Sequence, residues 1–395
     1  MSGSGGPPGP AVHQFVPALI PRDATGSHTL LLRQALRAAG WRSEIFAEAT
    51  HDELAGQSIP VERYAELAEP GDVLIYQFST SSMVADLLAE RTEPLVLDYH
   101  NVTGPEHYLP WEPATARRAA DALAQLRQLA PRAVLGLADS PFNQADLVAA
   151  GCRRTAVVPV LVDYDRMTEP PDPRVAGRLA ARRSAGGADW LFVGRLVPSK
   201  GQHELVKALW AYRRLYDPEA RLHLVGSAPS KRYLAALRAF IADLGLARAV
   251  RVAGEVSDAS LAAHFQAADV YVSLSVHEGF GVPLLEAMAA GVPVVARAHG
   301  AVAGTVGPAG LLLGADDTPV TVAAAVHRIR SDPALAGHLL AAGYRRVAEH
   351  SLDRSARAAV EALAPVAGPP PAGTQAVSGI GRPGPGPLTV AGGLR

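Results

Sequence analysis

The sequence predicts an α/β protein built from two doubly wound parallel sheets. Short runs of β-branched and aromatic residues alternate with helical stretches along most of the chain, which is typical of parallel strands joined by helices. The 395 residues exceed one typical core, so length alone favours two or three domains. A polar, proline-rich stretch over residues 169–187 follows the first set of strands, and we interpret it as an interdomain linker.

The first predicted domain covers residues 11–168. A turn at residues 21–27 leads into an amphipathic helix over residues 28–39, for which Ser27 is a candidate N-cap and Gly40 the end. Further helices are predicted over residues 116–128 and from residues 139–141 onward. The strands are predicted at residues 12–20, 72–78, 94–98, 133–138 and 156–162.

The second predicted domain covers residues 188–350, and a final helix follows over residues 351–365. Its strands are predicted at residues 190–193, 221–225, 250–252, 270–276 and 293–296. The two ends of the chain, residues 1–10 and 366–395, are rich in glycine and proline without a period, so both are predicted to be disordered.

Composition excludes several classes of protein. The net charge is −1, which argues against a nucleic-acid-binding protein dominated by phosphate contacts. The single cysteine, Cys152, excludes an internal disulfide framework and a cysteine-rich zinc site. We find no signal peptide and no apolar run long enough to span a bilayer, so a cytoplasmic protein without a transmembrane segment is expected, and peripheral membrane contact stays open.

The rest of the chain is organised around residues 268–296. A buried strand is followed by a glycine-punctuated loop, a helix that starts near Pro283, and a second strand. Glu278 lies on the loop and Glu286 lies eight positions later inside the helix, so both carboxylates can face the crevice where ligands bind in open α/β sheets. Glu286 alone also has a purely structural explanation, because helix dipoles favour acidic residues near an N-terminus.

The string Glu-Gly-Phe-Gly-x-Pro-x-x-Glu-Ala-Met-Ala-x-Gly-x-Pro-Val-Val-Ala from Glu278 to Ala296 resembles the signature of retaining glycosyltransferase family 4. The resemblance implies the GT-B fold, in which two Rossmann-like domains face each other across a cleft. It assigns the acceptor side to residues 11–168 and nucleotide-sugar binding to residues 188–350, with the last helix crossing back to the first domain. It also implies retaining transfer of a sugar from a nucleotide-diphosphate sugar to a sugar, lipid-linked or small-molecule hydroxyl, with no metal and no bound cofactor.

The resemblance also assigns roles to side chains that bear charge. Arg195 and Lys200 bracket a tight turn after a strand and are expected to bind the donor diphosphate, because two fixed cations can do there what a metal does elsewhere. Glu286 is expected to hold the ribose hydroxyls. Glu278 is expected to hold the transferred sugar, together with the backbone of residues 279–281, which are Gly279, Phe280 and Gly281.

Four further positions match the family less closely. His100, at the end of a strand, is expected to contact the sugar from the first domain, although a lone histidine is more often structural. Gly26 is the only glycine in the first loop, where the family approaches the diphosphate, and a plain helix-start turn explains it equally well. Gly226 is expected beside the nucleotide, and Val256 beside the base.

Several alternatives stay open. Asp163-Tyr164-Asp165 matches a short metal-binding pattern of other glycosyltransferases, but a connection between domains is the better interpretation. Ala303-Gly304 stands where the family commonly has Pro-Glu, which puts a simple transfer of donor specificity in doubt. The rival functions are a non-catalytic sugar-nucleotide-binding homologue or partner subunit, and a GT-B-type epimerase or phosphorylase. A dehydrogenase is disfavoured because no Gly-x-Gly-x-x-Gly follows a strand.

Overall fold

The computed structural model describes residues 11–109, 111–184 and 186–369. The chain forms two compact units. Among the described residues, the first unit contains residues 11–102, 118–163 and 351–369, and the second contains residues of the ranges 103–117 and 164–350. Residues 1–10 and 370–395, which belong to the predicted disordered ends, lie outside the described residues.

The first unit contains a sheet of seven parallel strands. They are β1 Val12–Leu19, β2 Ile45–Thr50, β3 Ile59–Pro60, β4 Val73–Phe78, β5 Leu95–Tyr99, β6 Leu135–Ala138 and β7 Thr155–Val157. Their order is β3-β2-β1-β4-β5-β6-β7. The order therefore reverses between β1 and β4, as in a Rossmann-like sheet.

Helices connect and cover these strands. They are α1 Ala24–Ala38, α2 Tyr64–Leu67, α3 Met83–Ala89, α4 Pro113–Leu129, α5 Pro141–Ala149 and, from the end of the chain, α14 Leu352–Ala367. α14 contributes Ala356, Ala359 and Leu363 to the same core as Leu31 and Leu36 of α1. The core of the first unit is thus built from distant parts of the sequence.

The second unit contains a sheet of six parallel strands in the same winding. They are β8 Asp189–Val193, β9 Arg221–Val225, β10 Val250–Gly254, β11 Val270–Ser273, β12 Val294–Arg297 and β13 Gly310–Leu313, in the order β10-β9-β8-β11-β12-β13. The predicted fold class of two Rossmann-like parallel sheets is confirmed.

The helices of the second unit alternate with its strands. They are α6 Pro173–Arg183, α7 Gln202–Leu215, α8 Lys231–Asp243, α9 Asp258–Ala267, α10 Val282–Ala289, α11 Val302–Val306, α12 Pro319–Ser331 and α13 Pro333–Glu349. Trp190 of β8 is fully buried and meets the ring of Tyr212 on α7 at 5.1 Å between centroids. This aromatic contact helps to pack α7 against the sheet.

Two predicted boundaries were wrong. α1 begins at Ala24 and not at residue 28, because the Asp23 carboxylate caps it by accepting from the backbone N–H groups of Thr25 and Gly26. Ser27 therefore lies inside the helix. The predicted strand at residues 156–162 is only three residues long, because β6 ends at Ala138 and offers no further pairing edge.

The stretch predicted to be a linker contains a helix. Within residues 169–187, the Asp172 carboxylate caps α6 by accepting from the N–H groups of Arg174 and Val175. The backbone N–H of Asp172 donates to the carbonyl of Ala259 at 2.9 Å, which ties α6 to α9. No helix in the described part of the chain combines the length and the hydropathy needed to cross a bilayer.

Candidate functional site

The carboxyl ends of β8 and β9 lie side by side, because Val193 pairs with Val225. The glycines that follow them, Gly194 and Gly226, are therefore neighbours. Gly226 has a φ of +137°, and a Cβ atom on it would lie 2.2 Å from the carbonyl oxygen of Gly194. This close approach needs glycine at position 226, so the two turns after β8 and β9 pack directly against each other.

The turn after β8 presents the two predicted cations. The Arg195 side chain is exposed, and Lys200 ends a short 3₁₀ turn over Pro198–Lys200. Gly201 follows with a φ of +67°, and a Cβ atom there would lie 2.4 Å from the carbonyl oxygen of Leu274. The turn is thereby held against the chain that follows β11.

Lys200 and Glu278 form an ion pair with 2.7 Å between Nζ and a carboxylate oxygen. Their side chains are 20% and 15% exposed, so both groups stay in reach of solvent and of a ligand. The structure therefore brings together the predicted diphosphate cation and the predicted sugar carboxylate, although seventy-eight residues separate them in the sequence.

Glu286 is paired with a residue that the sequence did not single out. Its side chain is 4% exposed and forms an ion pair with Arg166, which lies on the short turn Asp165–Met167. A buried carboxylate needs such a partner. Burial, and then the Glu286 charge, raise the pKa of the neighbouring Tyr164 phenol, so the phenol stays neutral beside this pair.

Hydrogen bonds from Ala301 and Thr305 fix the backbone of residues 278–281. The Glu278 carbonyl accepts from the N–H of Ala301 at 2.9 Å, and the Phe280 carbonyl accepts from the Thr305 hydroxyl at 2.6 Å. The Phe280 side chain is buried. Gly281 has a φ of +92° and forms the N-cap position of α10. Ala303-Gly304, the departure from the family pattern, lies on α11 beside this support.

His100 lies in the first unit, where two glutamines set the direction of its hydrogen bonds. The Gln14 amide group donates to the backbone carbonyl of Thr29 at 3.0 Å, so its oxygen accepts from the Gln77 amide group at 2.9 Å. The Gln77 oxygen is then left for Nε2 of His100 at 2.5 Å. A backbone carbonyl can only accept, so Nε2 of His100 carries a proton and donates.

The other ring nitrogen of His100 is also a donor. Nδ1 lies 3.1 Å from both carboxylate oxygens of Asp139. Burial opposes the charge on the ring, but the carboxylates of Asp139 and Asp98 outweigh burial and raise the pKa of His100 to about 9. His100 is therefore a buried imidazolium whose two N–H groups are both used inside the first unit.

His28 differs from His100 because a backbone N–H sets its tautomer. Leu161 N–H donates to Nδ1 of His28 at 3.0 Å, so the proton lies on Nε2, which donates to Asp98 at 3.0 Å. One atom each from His28, Asp98 and His100 lies within 4.8 Å of the others, a spacing that a metal ion could use. The ring nitrogens of both histidines, however, already take part in hydrogen bonds.

Gly26 and Val256 matched the family pattern least closely, and the structure gives a packing reason for Gly26. Gly26 lies in the first turn of α1, where a Cβ atom would meet the carbonyl oxygen of Ile20 at 2.4 Å. Close packing thus accounts for this glycine. Val256 is half-buried in the turn between β10 and α9.

The sequence reasoning missed Arg166, Gln14 and Gln77. Arg166 directly follows the Asp163-Tyr164-Asp165 pattern, and no local pattern in the sequence pairs it with Glu286. No group with metal-ligand spacing in the described part of the chain includes Asp163 or Asp165. The two glutamines lie on predicted strands. A polar residue inside a buried strand was the sequence signal that could have pointed to them.

Known proteins resemble both the sequence and the fold. A family model described as "Glycosyl transferases group 1" matches residues 182–346. The D-inositol 3-phosphate glycosyltransferase of Kineococcus radiotolerans is 31% identical over 313 residues, which cover 73% of this chain and 70% of that relative. The protein of the same name from Geodermatophilus obscurus is 41% identical over 231 residues, covering 55% of this chain and 48% of the relative. The chain thus spans about half the length of this second relative.

Among solved structures, Anabaena HepE superposes with a TM-score of 0.72 at 22% sequence identity, covering 90% of this chain and 100% of HepE. At this identity the likeness concerns the fold, and it agrees with the two Rossmann-like sheets. The relative from Kineococcus radiotolerans is matched over more than two thirds of its length, and the family model covers the unit that carries Lys200, Glu278 and Glu286. The chain belongs to the family of group 1 glycosyltransferases.

Proposed function

We propose that this protein transfers a sugar from a nucleoside-diphosphate sugar to an acceptor hydroxyl. The observation that carries the proposal is the Lys200–Glu278 ion pair at the carboxyl ends of the strands of the second unit. Relatives support the donor class, because HepE was solved with UDP and glucose and a relative from Mycolicibacterium smegmatis is a GDP-mannose-dependent mannosyltransferase.

The ion pair suggests how a donor would be received. A diphosphate entering this turn competes with Glu278 for Lys200 and brings its negative charge between Lys200 and the exposed Arg195. Glu278, released from Lys200, can then accept hydrogen bonds from sugar hydroxyls. Glu286, held by Arg166, can accept from the ribose hydroxyls, which are neutral donors that a carboxylate suits.

We propose further that transfer needs no metal ion and retains the anomeric configuration. Arg195 and Lys200 would stabilise the charge that develops on the leaving diphosphate. The bond from the anomeric carbon to the diphosphate breaks, and the bond to the acceptor oxygen forms on the same face. The acceptor proton passes to the leaving phosphate oxygen, so no base or nucleophile of the protein is consumed.

The test begins with donor binding by the full chain. UDP-glucose and GDP-mannose are titrated first, and the donor that binds is supplied with D-inositol 3-phosphate, simple sugars and lipid-linked sugars in the presence of EDTA. Product formation in EDTA, with the anomeric coupling of the donor retained in the NMR spectrum, supports the proposal. Loss of turnover in EDTA that Mg²⁺ restores contradicts metal independence, and an inverted product contradicts retention.

Two lysines give a matched comparison. Lys200→Ala should lower turnover by about 10²-fold, the scale of removing one preorganised electrostatic group. Lys207→Ala removes a lysine with an ion pair of similar length, 2.8 Å to Glu204 on α7, and should leave turnover near the wild-type value. Equal turnover in the two variants would remove Lys200 from the reaction.

The rival functions give different results in the same experiment. A non-catalytic sugar-nucleotide-binding protein would bind the donor without releasing nucleotide with any acceptor. An epimerase would change the donor sugar without an acceptor, and a phosphorylase would need inorganic phosphate to act. Each of these results replaces transfer as the function of the site around Lys200 and Glu278.

A further inference from the structure

A second charged site lies in the second unit, at the edge of the sheet where the strands begin. A pocket of about 940 Å³ opens beside Arg221, the first residue of β9, and Val250, the first residue of β10. The turns that carry Arg195 and Gly226 follow the other ends of the strands. Five residues of strand separate the two edges, which corresponds to about 13 Å along β9.

The lining of this pocket is strongly basic, although the whole chain has a net charge of −1. One acidic residue, Glu219, faces six arginines. The arginines come from α6, α7, α8, β9, the segment that leads into β10 and β10 itself, so distant parts of the chain converge on one cavity. They are Arg182, Arg213, Arg221, Arg238, Arg248 and Arg251.

Two of the six arginines already have partners within the unit. Arg221 donates from Nε and Nη2 to the two carboxylate oxygens of Asp189 at 2.9 and 3.2 Å. Arg213 donates to the carbonyl of Ala220. Both are therefore held in place by the fold, and their guanidinium groups form a fixed part of the pocket.

The other four arginines are exposed, and within the described residues none of them takes part in an ion pair. The positive charge of Arg251 also acts on a neighbouring histidine, His264. Burial and, after it, the positive charges of His223, Arg251 and Arg178 together lower the pKa of His264 to about 4. Asp189 neutralises Arg221 and Glu219 offsets one further charge, so the lining of the pocket keeps a net positive charge.

The chemistry of the lining narrows the ligand. Guanidinium groups bind phosphate oxygens through two parallel hydrogen bonds, and a cavity of this size lies in the range of small-molecule sites. The remaining lining residues are aliphatic, such as Ile241 and Val252, and the lining that the structure describes has no aromatic ring on which a nucleobase could stack. Because the arginines approach the pocket from several parts of the chain, they can contact a small anion from more than one side.

We propose that this pocket is a second anion site that binds a small ligand carrying two or more phosphate groups. The site is separate from the proposed donor site and does not depend on glycosyl transfer. Arg248 and Arg251 contact the ligand from the edge of the sheet, and Arg182 and Arg238 contact it from the two helices.

The test is calorimetric titration of the full chain with inorganic tripolyphosphate. The turn around Lys200 is itself expected to bind phosphates, so the titration is carried out in a Lys200→Ala background. Arg248→Ala/Arg251→Ala should weaken binding at least tenfold, and Arg182→Ala/Arg238→Ala should do the same as an independent pair. Arg117→Ala/Arg118→Ala, which removes two exposed arginines of α4, should leave the affinity unchanged.

The outcomes separate the possible ligands. Equal affinity in the pocket variants and in the background, or equal weakening by the α4 control, overturns the site. Citrate binding as tightly as tripolyphosphate overturns the assignment to phosphate. In a third outcome, the background protein sediments with phosphatidylglycerol vesicles, the pocket variants do not, and no tripolyphosphate binding is found. This result overturns the small ligand in favour of a lipid surface.

Discussion

The imidazolium of His100 and the carboxylate of Asp139 form an ion pair in which both side chains are 4% exposed. The Gln14–Gln77 chain holds the second N–H of His100, so the pair has little freedom to rearrange. A buried ion pair stabilises a fold only when its remaining polar atoms are also satisfied. Both N–H groups of His100 meet that condition.

The first prediction concerns the pH dependence of stability. The pKa of His100 rises from 6.5 to about 9 on folding, so its contribution is complete below about pH 6.5 and is lost as the pH rises through 9. Burial also raises the pKa of Asp139, which offsets part of this gain, so the pair contributes less than about 3 kcal/mol. Urea unfolding between pH 6 and 10 measures it, and Asp139→Asn should flatten this part of the profile. An unchanged slope in Asp139→Asn would contradict the assignment.

The second prediction concerns protons on two neighbouring histidines. Nitrogen NMR at pH 7 should show both ring nitrogens of His100 protonated, but only Nε2 of His28. The Thr29 carbonyl, through the two glutamines, places a proton on Nε2 of His100, and the Asp139 carboxylate holds the proton on Nδ1. For His28, the Leu161 N–H occupies Nδ1 and leaves the proton on Nε2. Gln77→Leu should remove the Nε2 hydrogen bond of His100 and leave the His28 signals in place. A neutral His100 in the wild-type protein would refute this account.

The third prediction concerns Arg166. Arg166→Ala leaves the Glu286 carboxylate buried without its partner and should lower the free energy of unfolding by about 3 kcal/mol. Glu286→Gln in the same chain should recover part of the loss, because the unpaired charge is then gone. Arg183→Ala, which breaks an exposed ion pair with Asp269, should cost less than about 1 kcal/mol. Chemical denaturation of the wild-type protein and the three variants measures these losses, and equal losses for Arg166→Ala and Arg183→Ala would contradict the role of burial.

The fourth prediction compares two glycines with positive φ. Gly226→Ala places a Cβ atom 2.2 Å from the Gly194 carbonyl oxygen, whereas Gly245→Ala has a φ of +71° and meets no atom within 4 Å. Gly245→Ala should cost about 1–2 kcal/mol through backbone strain alone. Gly226→Ala should cost more and should also weaken donor binding, because the turn at the strand ends must shift. Similar losses of stability and of binding would count against this packing.

The sequence predicted the order of strands, loop and helix around Glu278 and Glu286, because that information is local. Apolar periodicity, glycines and a proline near a helix start are all read within thirty residues. The resemblance to a family then placed Lys200 in the same site. Arg166 could not be found in this way, because its partner lies 120 residues further along the chain and only the folded structure brings the two together.

The chain of hydrogen bonds to His100 was out of reach for a related reason. Its members come from β1, β4 and the turns after β5 and β6, and their contact depends on the register between strands. Sequence patterns predict which face of a strand is buried, but they leave the register open. The cap of α1 was missed because Asp23 and Ser27 are both good capping residues and the choice between them depends on where the helix starts.

The position of α14 determines when the core of the first unit can form during synthesis. Ala356, Ala359 and Leu363 complete a core that also contains Leu31 and Leu36, so the sheet translated first lacks part of its interior until α14 has left the ribosome. The second sheet lies within residues 189–313 and has all its strands well before then. Removing the chain after His350 should therefore damage the amino-terminal sheet and spare the later one.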